Sequence, residues 1–140
     1  ALALGAHAAL HPDDAAHHLR TTTQDRGVHG ADVVLEIAGT DAAVALSVEL
    51  AAPGATVVLT GIPDADTTTF PASTARRKGL TLKLSRRMKE MYPRAVRLAA
   101  GGTVDLTSLV TETAPLTDAV GAFTRAQARH GLKVVIAPHL

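Results

Sequence analysis

The run Val33-Val34-Leu35-Glu36-Ile37 constrains the fold more than any other part of this chain. It is rich in β-branched residues, is entered through Gly30-Ala31-Asp32 and is left at Gly39. A short apolar run between turn residues reads as a strand buried on both faces, the pattern of a parallel sheet. A parallel neighbour requires a crossover, and one follows. Asp41 is placed to cap a helix, on which Val44, Ser47, Val48 and Ala51 share a face until Pro53-Gly54 stops it. Thr56–Thr60 is a second buried strand, ending at Gly61. Strand, helix and strand succeed one another within about 30 residues, the size of one βαβ unit.

The remaining segments extend this α/β pattern. Ala1–Leu4 reads as the tail of a helix begun upstream, with Gly5 in the left-handed position after it. His7–Leu10 is expected as a short strand and His11-Pro12-Asp13-Asp14 as a turn. A helix over Asp14–Thr22 would put Ala15, Ala16 and Leu19 on one side. Asp64–Thr69 is a polar loop, with Thr67–Phe70 adding a short strand. Leu80, Leu82 and Leu84 alternate with Thr81 and Lys83 as in a half-buried strand. Pro93 suits a first helical turn, and Ala95, Val96, Leu98 and Ala99 carry that helix to Gly101-Gly102. After Pro115, Leu116, Ala119, Val120 and Phe123 have helical spacing. Leu132–Ala137 is a last strand, ended by Pro138.

Composition removes several function classes. Lys and Arg number 14 against 13 Asp and Glu, a net charge of +1. That leaves no electrostatic footprint for nucleic acid or an anionic membrane. Aromatic residues are 2% of the chain, too few for a base-stacking surface. There is no cysteine, hence no disulfide and no thiolate metal site. No apolar run reaches the length of a membrane span, and no basic segment precedes Ala1–Ala9 as in a secretory signal; a cytoplasmic protein is expected. His7 and His11 are four residues apart, about 13 Å on a strand, too far to share one zinc held at about 2.0–2.1 Å. Ser47, Ser73, Ser85 and Ser108 lack a nucleophile-elbow context. Asp13-Asp14 and Asp64/Asp66 fall in polar turns. Arg76-Arg77-Lys78 reads as a solvated loop. Arg86-Arg87 is either a phosphate-reaching pair or a strand end, and Glu36 either lines a cleft or, at the end of a buried strand, is paired or solvent-facing.

Taken in order, these segments resemble the medium-chain dehydrogenases. Gly30–Gly39 is similar to their fourth strand and its turn, and Gly54-Ala55-Thr56-Val57-Val58-Leu59-Thr60-Gly61-Ile62 to their fifth. Lys78–Lys83 is similar to the sixth. Tyr92-Pro93, Val110-Thr111 and Pro115-Leu116 resemble the sorbitol dehydrogenase branch, and Gly131–Ile136 matches the final strand. The resemblance implies the C-terminal part of a zinc-type alcohol or polyol dehydrogenase. The implied fold is a partial Rossmann-like, doubly wound parallel sheet lacking its first two strands, followed by C-terminal helices and a strand. Residues of about 1–90 would belong to the nucleotide-binding domain, and those of about 91–140 would return to the catalytic domain.

In that family NAD or NADP lies at the carboxyl ends of the strands. The implied cofactor residues are Gly39, Thr60, Gly61, Ile62, Ser85, Arg86 and Arg87, with Arg87 and Met88 on the substrate side. Gly61 would allow close backbone approach, and loop N–H groups would reach the nicotinamide carboxamide. The catalytic zinc would be held by residues outside this chain, and no catalytic residue is expected within it. The G-x-G-x-x-G turn and the acidic residue about 20 positions on are absent. The chain alone is therefore expected to be inactive, and the edge of its Val33–Ile37 strand to pair with another chain or with its own first ten residues. Two other readings stay open. One is a zinc-free, quinone-reductase-type member of the superfamily. The other is a non-enzymatic dimerisation module built on Thr67–Phe70 and Leu80–Leu84. The parent enzyme would act on a small alcohol or polyol as a homo-oligomer, a dimer or tetramer, with no nucleic-acid or membrane partner.

Overall fold

The computed structural model describes residues 1–23, 29–86, 88 and 90–139. They form two compact units, Ala1–Arg86 and Arg87–Leu140. In the first unit, strands β1 (Ala31–Glu36), β2 (Ala51–Leu59) and β3 (Thr81–Leu84) make a parallel sheet in the order β1-β2-β3. Helix α1 (Pro12–Thr22) precedes it; α2 (Asp41–Leu50) and α3 (Ala72–Lys78) are the crossovers. The expected βαβ unit is present, and a second one shares its middle strand.

Several boundaries differ from expectation for definable reasons. A 3-10 turn over Leu2–Leu4 closes on Gly5 at φ 92°, the left-handed cap anticipated there. Residues 6–10 form no strand: the segment is exposed, Ala-rich and without a ladder partner. It does not cover the β1 edge, which pairs with β2 alone among the described residues. Helix α1 starts at Pro12, because proline suits a first turn and Asp13 and Asp14 favour its positive end. Helix α2 is capped by Thr40, whose Oγ1 accepts from Ala43 N at 3.2 Å, and not by Asp41. It ends at Leu50, and β2 follows at once, so Pro53-Gly54 does not stop it. Pro53, with no amide proton to give, sits in a bulge where β2 advances five positions (Ala51 to Thr56) against two on β1 (Ala31 to Val33). Residues 67–70 are loop, not strand.

Helix α3 covers the basic triplet read from sequence as a loop. Only Ala75 on it is buried, so it carries no apolar periodicity. Arg76, Arg77 and Lys78 occupy its last turn, where the helix dipole favours cations, and Gly79 ends it at φ 62°. The Lys78 ammonium donates to the carbonyls of Val48, Glu49 and Ala51 at 3.1, 2.6 and 2.8 Å.

The core is small and aliphatic, as two phenylalanines and one tyrosine in the whole chain require. Ala51, Ala52, Ala55 and Val57 form its kernel, with Val34, Leu59 and Leu80 packed around them. Helices α2 and α3 both pack on β2 and on each other, so they share one face of the sheet. Alternation puts Val33 and Leu35 on the other face, where they are 59% and 63% exposed. β1 is therefore covered on one face, not on both.

The second unit holds α4 (Met91–Ala100), β4 (Val110–Pro115), α5 (Ala119–Gln127) and β5 (Lys133–Ala137), with β4 and β5 parallel. The helix after Pro93 and the last strand were legible in sequence; β4 was not. Of the residues with helical spacing, Ala119 is half-buried but Leu116, Val120 and Phe123 are exposed, the last two at 83% and 70%, while Ala122 is buried. The small Ala122 is what α5 places against its sheet. β4 bulges at Thr111, whose Oγ1 accepts from Leu132 N and Lys133 N at 3.1 and 3.3 Å and so replaces ladder bonds lost to the bulge. Arg125 ties α5 to its surroundings by donating to Glu112 and Asp118, and both carboxylates raise its pKa.

Candidate functional site

Because β1, β2 and β3 run parallel, their carboxyl ends lie along one edge of the sheet. In order, that edge carries Glu36–Gly39, Leu59–Ile62 and Leu84–Arg86. Open parallel sheets bind ligands at such an edge. The ladder extends past the strands: Thr60 N and Gly61 N both donate to Glu36 O, at 2.8 and 3.0 Å, and Ser85 N donates to Leu59 O at 2.9 Å. The amides of Thr60, Gly61 and Ser85 are therefore committed within the protein. Of the Thr60–Ile62 loop expected to offer N–H groups to a ligand, only Ile62 N donates to no protein acceptor among the described residues. The carbonyls of Thr60 and Gly61 accept no hydrogen bond among the described residues.

Four of the expected cofactor residues meet here. Gly39 has φ 74°, and a Cβ on it would lie 2.5 Å from Ile62 O. A Cβ on Gly61 would lie 2.5 Å from Gly39 Cα and nearer still to its nitrogen. The two glycines are thus required by each other: the β1 and β2 turns touch backbone to backbone, with Thr60 and Ile62 on either side of the contact. Ile62 is 62% exposed. Ser85 and Arg86 continue from β3 and are exposed, and Arg86 has no ion-pair partner among the described residues. Arg87 lies outside the described residues. Met88 is exposed and belongs to the second unit.

Two acidic residues of the β1–α2 segment hold the turns at this edge: Glu36 takes the loop after β2 through its main-chain oxygen and the turn after β1 through its carboxylate, and Asp41 takes the loop after β2 through its carboxylate. Glu36 is buried, with 3% of its surface accessible, and Oε1 accepts from Gly39 N at 2.7 Å. Of the roles left open by sequence, it is paired and not solvent-facing, and it lies beside the candidate crevice. Asp41, which sequence placed as a helix cap, instead accepts from Thr69 N at 3.0 Å and Thr69 Oγ1 at 2.6 Å. An aspartate right after a capping threonine carries no sequence signal for a contact 28 residues away. Those hydrogen bonds hold the Asp41 carboxyl below its ordinary pKa. A depressed carboxyl pKa contributes order that is present above the unfolded value of about 3.9 and is lost as pH falls through the folded value. The Thr69 amide should therefore stay protected from exchange at pH 5 and be released only at pH below about 3.9. In Asp41→Asn that acid step should vanish; a Thr69 amide with the same pH profile in both proteins would disprove the clasp.

The described residues bring no zinc site together. Cysteine is absent, and no three His, Asp or Glu side chains converge among the described residues. Among those residues, no helix is long and apolar enough to cross a membrane.

Comparison with known proteins agrees with this architecture. Residues 1–101 match the sequence family described as zinc-binding dehydrogenase. A putative D-xylulose reductase of Rhizobium meliloti is 39% identical over 100 residues, 71% of this chain and 29% of that protein. A probable zinc-binding alcohol dehydrogenase of Mycobacterium tuberculosis is 31% identical over 86% of this chain and 31% of its own length. The chain thus spans about a third or less of the curated relatives it matches. Among solved structures, the alcohol dehydrogenase of Thermus sp. ATN1 superposes with a TM-score of 0.74 at 28% identity, covering 87% of this chain and 35% of that enzyme. An alcohol dehydrogenase zinc-binding domain protein of Burkholderia ambifaria shares the fold, with a TM-score of 0.77 at 22% identity over 96% of this chain and 37% of its own. With a parallel α/β sheet, paired glycine turns at its carboxyl edge and a family match over residues 1–101, this chain belongs to the zinc-binding dehydrogenase family.

Proposed function

We propose that this chain supplies the nicotinamide-side rim of an NAD(P)-dependent dehydrogenase that interconverts a secondary alcohol, in particular a polyol, and its ketone. The observation that carries this is the meeting of Gly39, Gly61 and Ile62 at the carboxyl edge of a parallel sheet. There, main-chain carbonyls of Thr60 and Gly61 are uncommitted, and no side chain stands on Gly61 to block approach. A carboxamide amino group is the kind of donor those carbonyls can accept. When bound, the cofactor supplies the hydride chemistry. The protein's share here is to hold one ring face toward the substrate and exclude water, which the rigid double turn is built to do. Ser85 and Arg86 extend this rim from β3. Arg87 and Met88 are assigned to the cofactor and substrate side on sequence grounds alone. The polyol class rests on the relatives named as D-xylulose reductases.

The zinc and the pyrophosphate grip belong, on this reading, to sequence outside these 140 residues, since neither set of residues is present. Oligomerisation of the whole enzyme through the exposed edge of β3 and a cytoplasmic location are part of the same proposal. Titration of the 140-residue chain with NAD should release no heat at micromolar concentrations. The same chain preceded by the catalytic domain with its zinc ligands, and by the strand, G-x-G-x-x-G turn and helix of the nucleotide-binding domain, should bind NAD or NADP and reduce a ketose. Micromolar binding by the short chain, or none by the longer one, would refute the proposal.

A further inference from the structure

The rim's geometry depends on one buried group, Glu36, and it works at both ends of that residue. Its main-chain oxygen takes the N–H groups of Thr60 and Gly61, at 2.8 and 3.0 Å, which bends the chain sharply out of β2. Its side-chain Oε1 takes the N–H of Gly39 at 2.7 Å, which closes the turn out of β1. Its second carboxylate oxygen, Oε2, would stand 2.7 Å from a Cβ on Gly61 and makes no hydrogen bond among the described residues. A carboxylate with 3% of its surface accessible is costly to keep, and a helix or sheet core needs none here. Hydrophobic packing alone does not account for a glutamate where the neighbouring inward position of β1 is Val34.

The geometry points to Glu36 as the positioning residue of the nicotinamide rim: it fixes the Gly39 and Gly61 turns against each other, so that the carbonyls of Thr60 and Gly61 present one arrangement to the cofactor. This rests on the proposed function. Glu36 touches no reacting atom in the argument; it acts through two glycines. A charge-assisted hydrogen bond to a backbone amide is among the stronger ones available. Its loss lets the Gly39 turn relax, and Ile62, whose carbonyl packs against Gly39, moves with it.

The test uses the full dehydrogenase carrying this segment. Glu36→Met keeps the side chain's length and removes the acceptor; Glu36→Gln keeps a neutral acceptor. In Glu36→Met the KM for the nicotinamide cofactor should rise about tenfold, the loss of roughly one hydrogen bond to a charged group, with the KM for the alcohol unchanged. Glu36→Gln should recover most of that, staying within about threefold of wild type, because an amide oxygen still accepts from Gly39. Exchange of the Gly39 amide, read without cofactor, should quicken in Glu36→Met and only slightly in Glu36→Gln. A merely structural role would lower the melting temperature and the active fraction and leave the cofactor KM alone. Wild-type enzyme that binds no nicotinamide dinucleotide would overturn the proposed function itself. Wild-type enzyme that binds it, beside a Glu36→Met protein with the same cofactor KM and a still-protected Gly39 amide, would overturn this inference alone.

Discussion

Gly61→Ala should destabilise the first unit by about 3 kcal/mol, at the upper end of what overpacking a rigid site costs. The added methyl would stand 2.5 Å from Gly39 Cα, closer than carbon atoms approach without bonding. Neither side can yield easily. Gly61 N is tied to Glu36 O and Gly39 N to the Glu36 carboxylate, so moving one turn away breaks a hydrogen bond of the other. For a unit of this size the loss corresponds to a fall in melting temperature of more than about 10 °C. Gly79→Ala is the informative control. Gly79 has φ 62°, but a Cβ on it would meet nothing within 4 Å. That substitution should cost only the left-handed backbone penalty, about 1 kcal/mol. Equal melting temperatures for the two variants would mean that the β1 and β2 turns do not touch as described.

The contrast between those glycines shows where sequence reading reaches and where it stops. Val33–Ile37 and Thr56–Thr60 were legible because their apolar runs are local, and the glycines after them marked the carboxyl edge. That Gly39 and Gly61 exist for each other was not legible, since the contact joins residues 22 positions apart through backbone alone. The same holds for Asp41 and Thr69. Helix α3 was hidden because one buried alanine makes no periodic stripe, and β4 because its Glu112 and Thr113 break the apolar pattern of a buried strand. His7–Leu10 failed in the opposite direction: a locally plausible strand found no neighbour with which to share hydrogen bonds. The stripe Leu116, Val120 and Phe123 was recognised as helical, but periodicity fixes a face and not what the face meets; here it meets solvent.

Lys78 is the second site where a single change should be costly, and its effect separates a helix cap from a surface charge. Helix α2 ends at Leu50 and β2 begins at Ala51, so no residue intervenes to supply a capping glycine. The last carbonyls of a helix have no partner within it. Here the cap arrives from the end of α3: the ammonium gives its three protons to Val48, Glu49 and Ala51, and only the protonated amine has three to give. Burial opposes this by pushing the Lys78 ammonium below its ordinary pKa, while the Glu49 carboxylate supports it. Hydrogen bonds from a charged donor contribute about 1.5–3 kcal/mol each before that desolvation is subtracted. Lys78→Met should therefore destabilise the protein by about 2 kcal/mol, seen as a lower midpoint in urea with an unchanged slope. Lys78→Arg should recover only part of this, because a planar guanidinium cannot converge three donors on carbonyls arranged around a point charge. Arg77→Ala, one residue away on the same helix, removes only an exposed contact to Thr74 Oγ1 at 3.4 Å and should change the midpoint little. If Lys78→Met were as mild as Arg77→Ala, the α2–β2 junction would have to be capped by water, and the basic end of α3 would be the solvated surface that its sequence suggests.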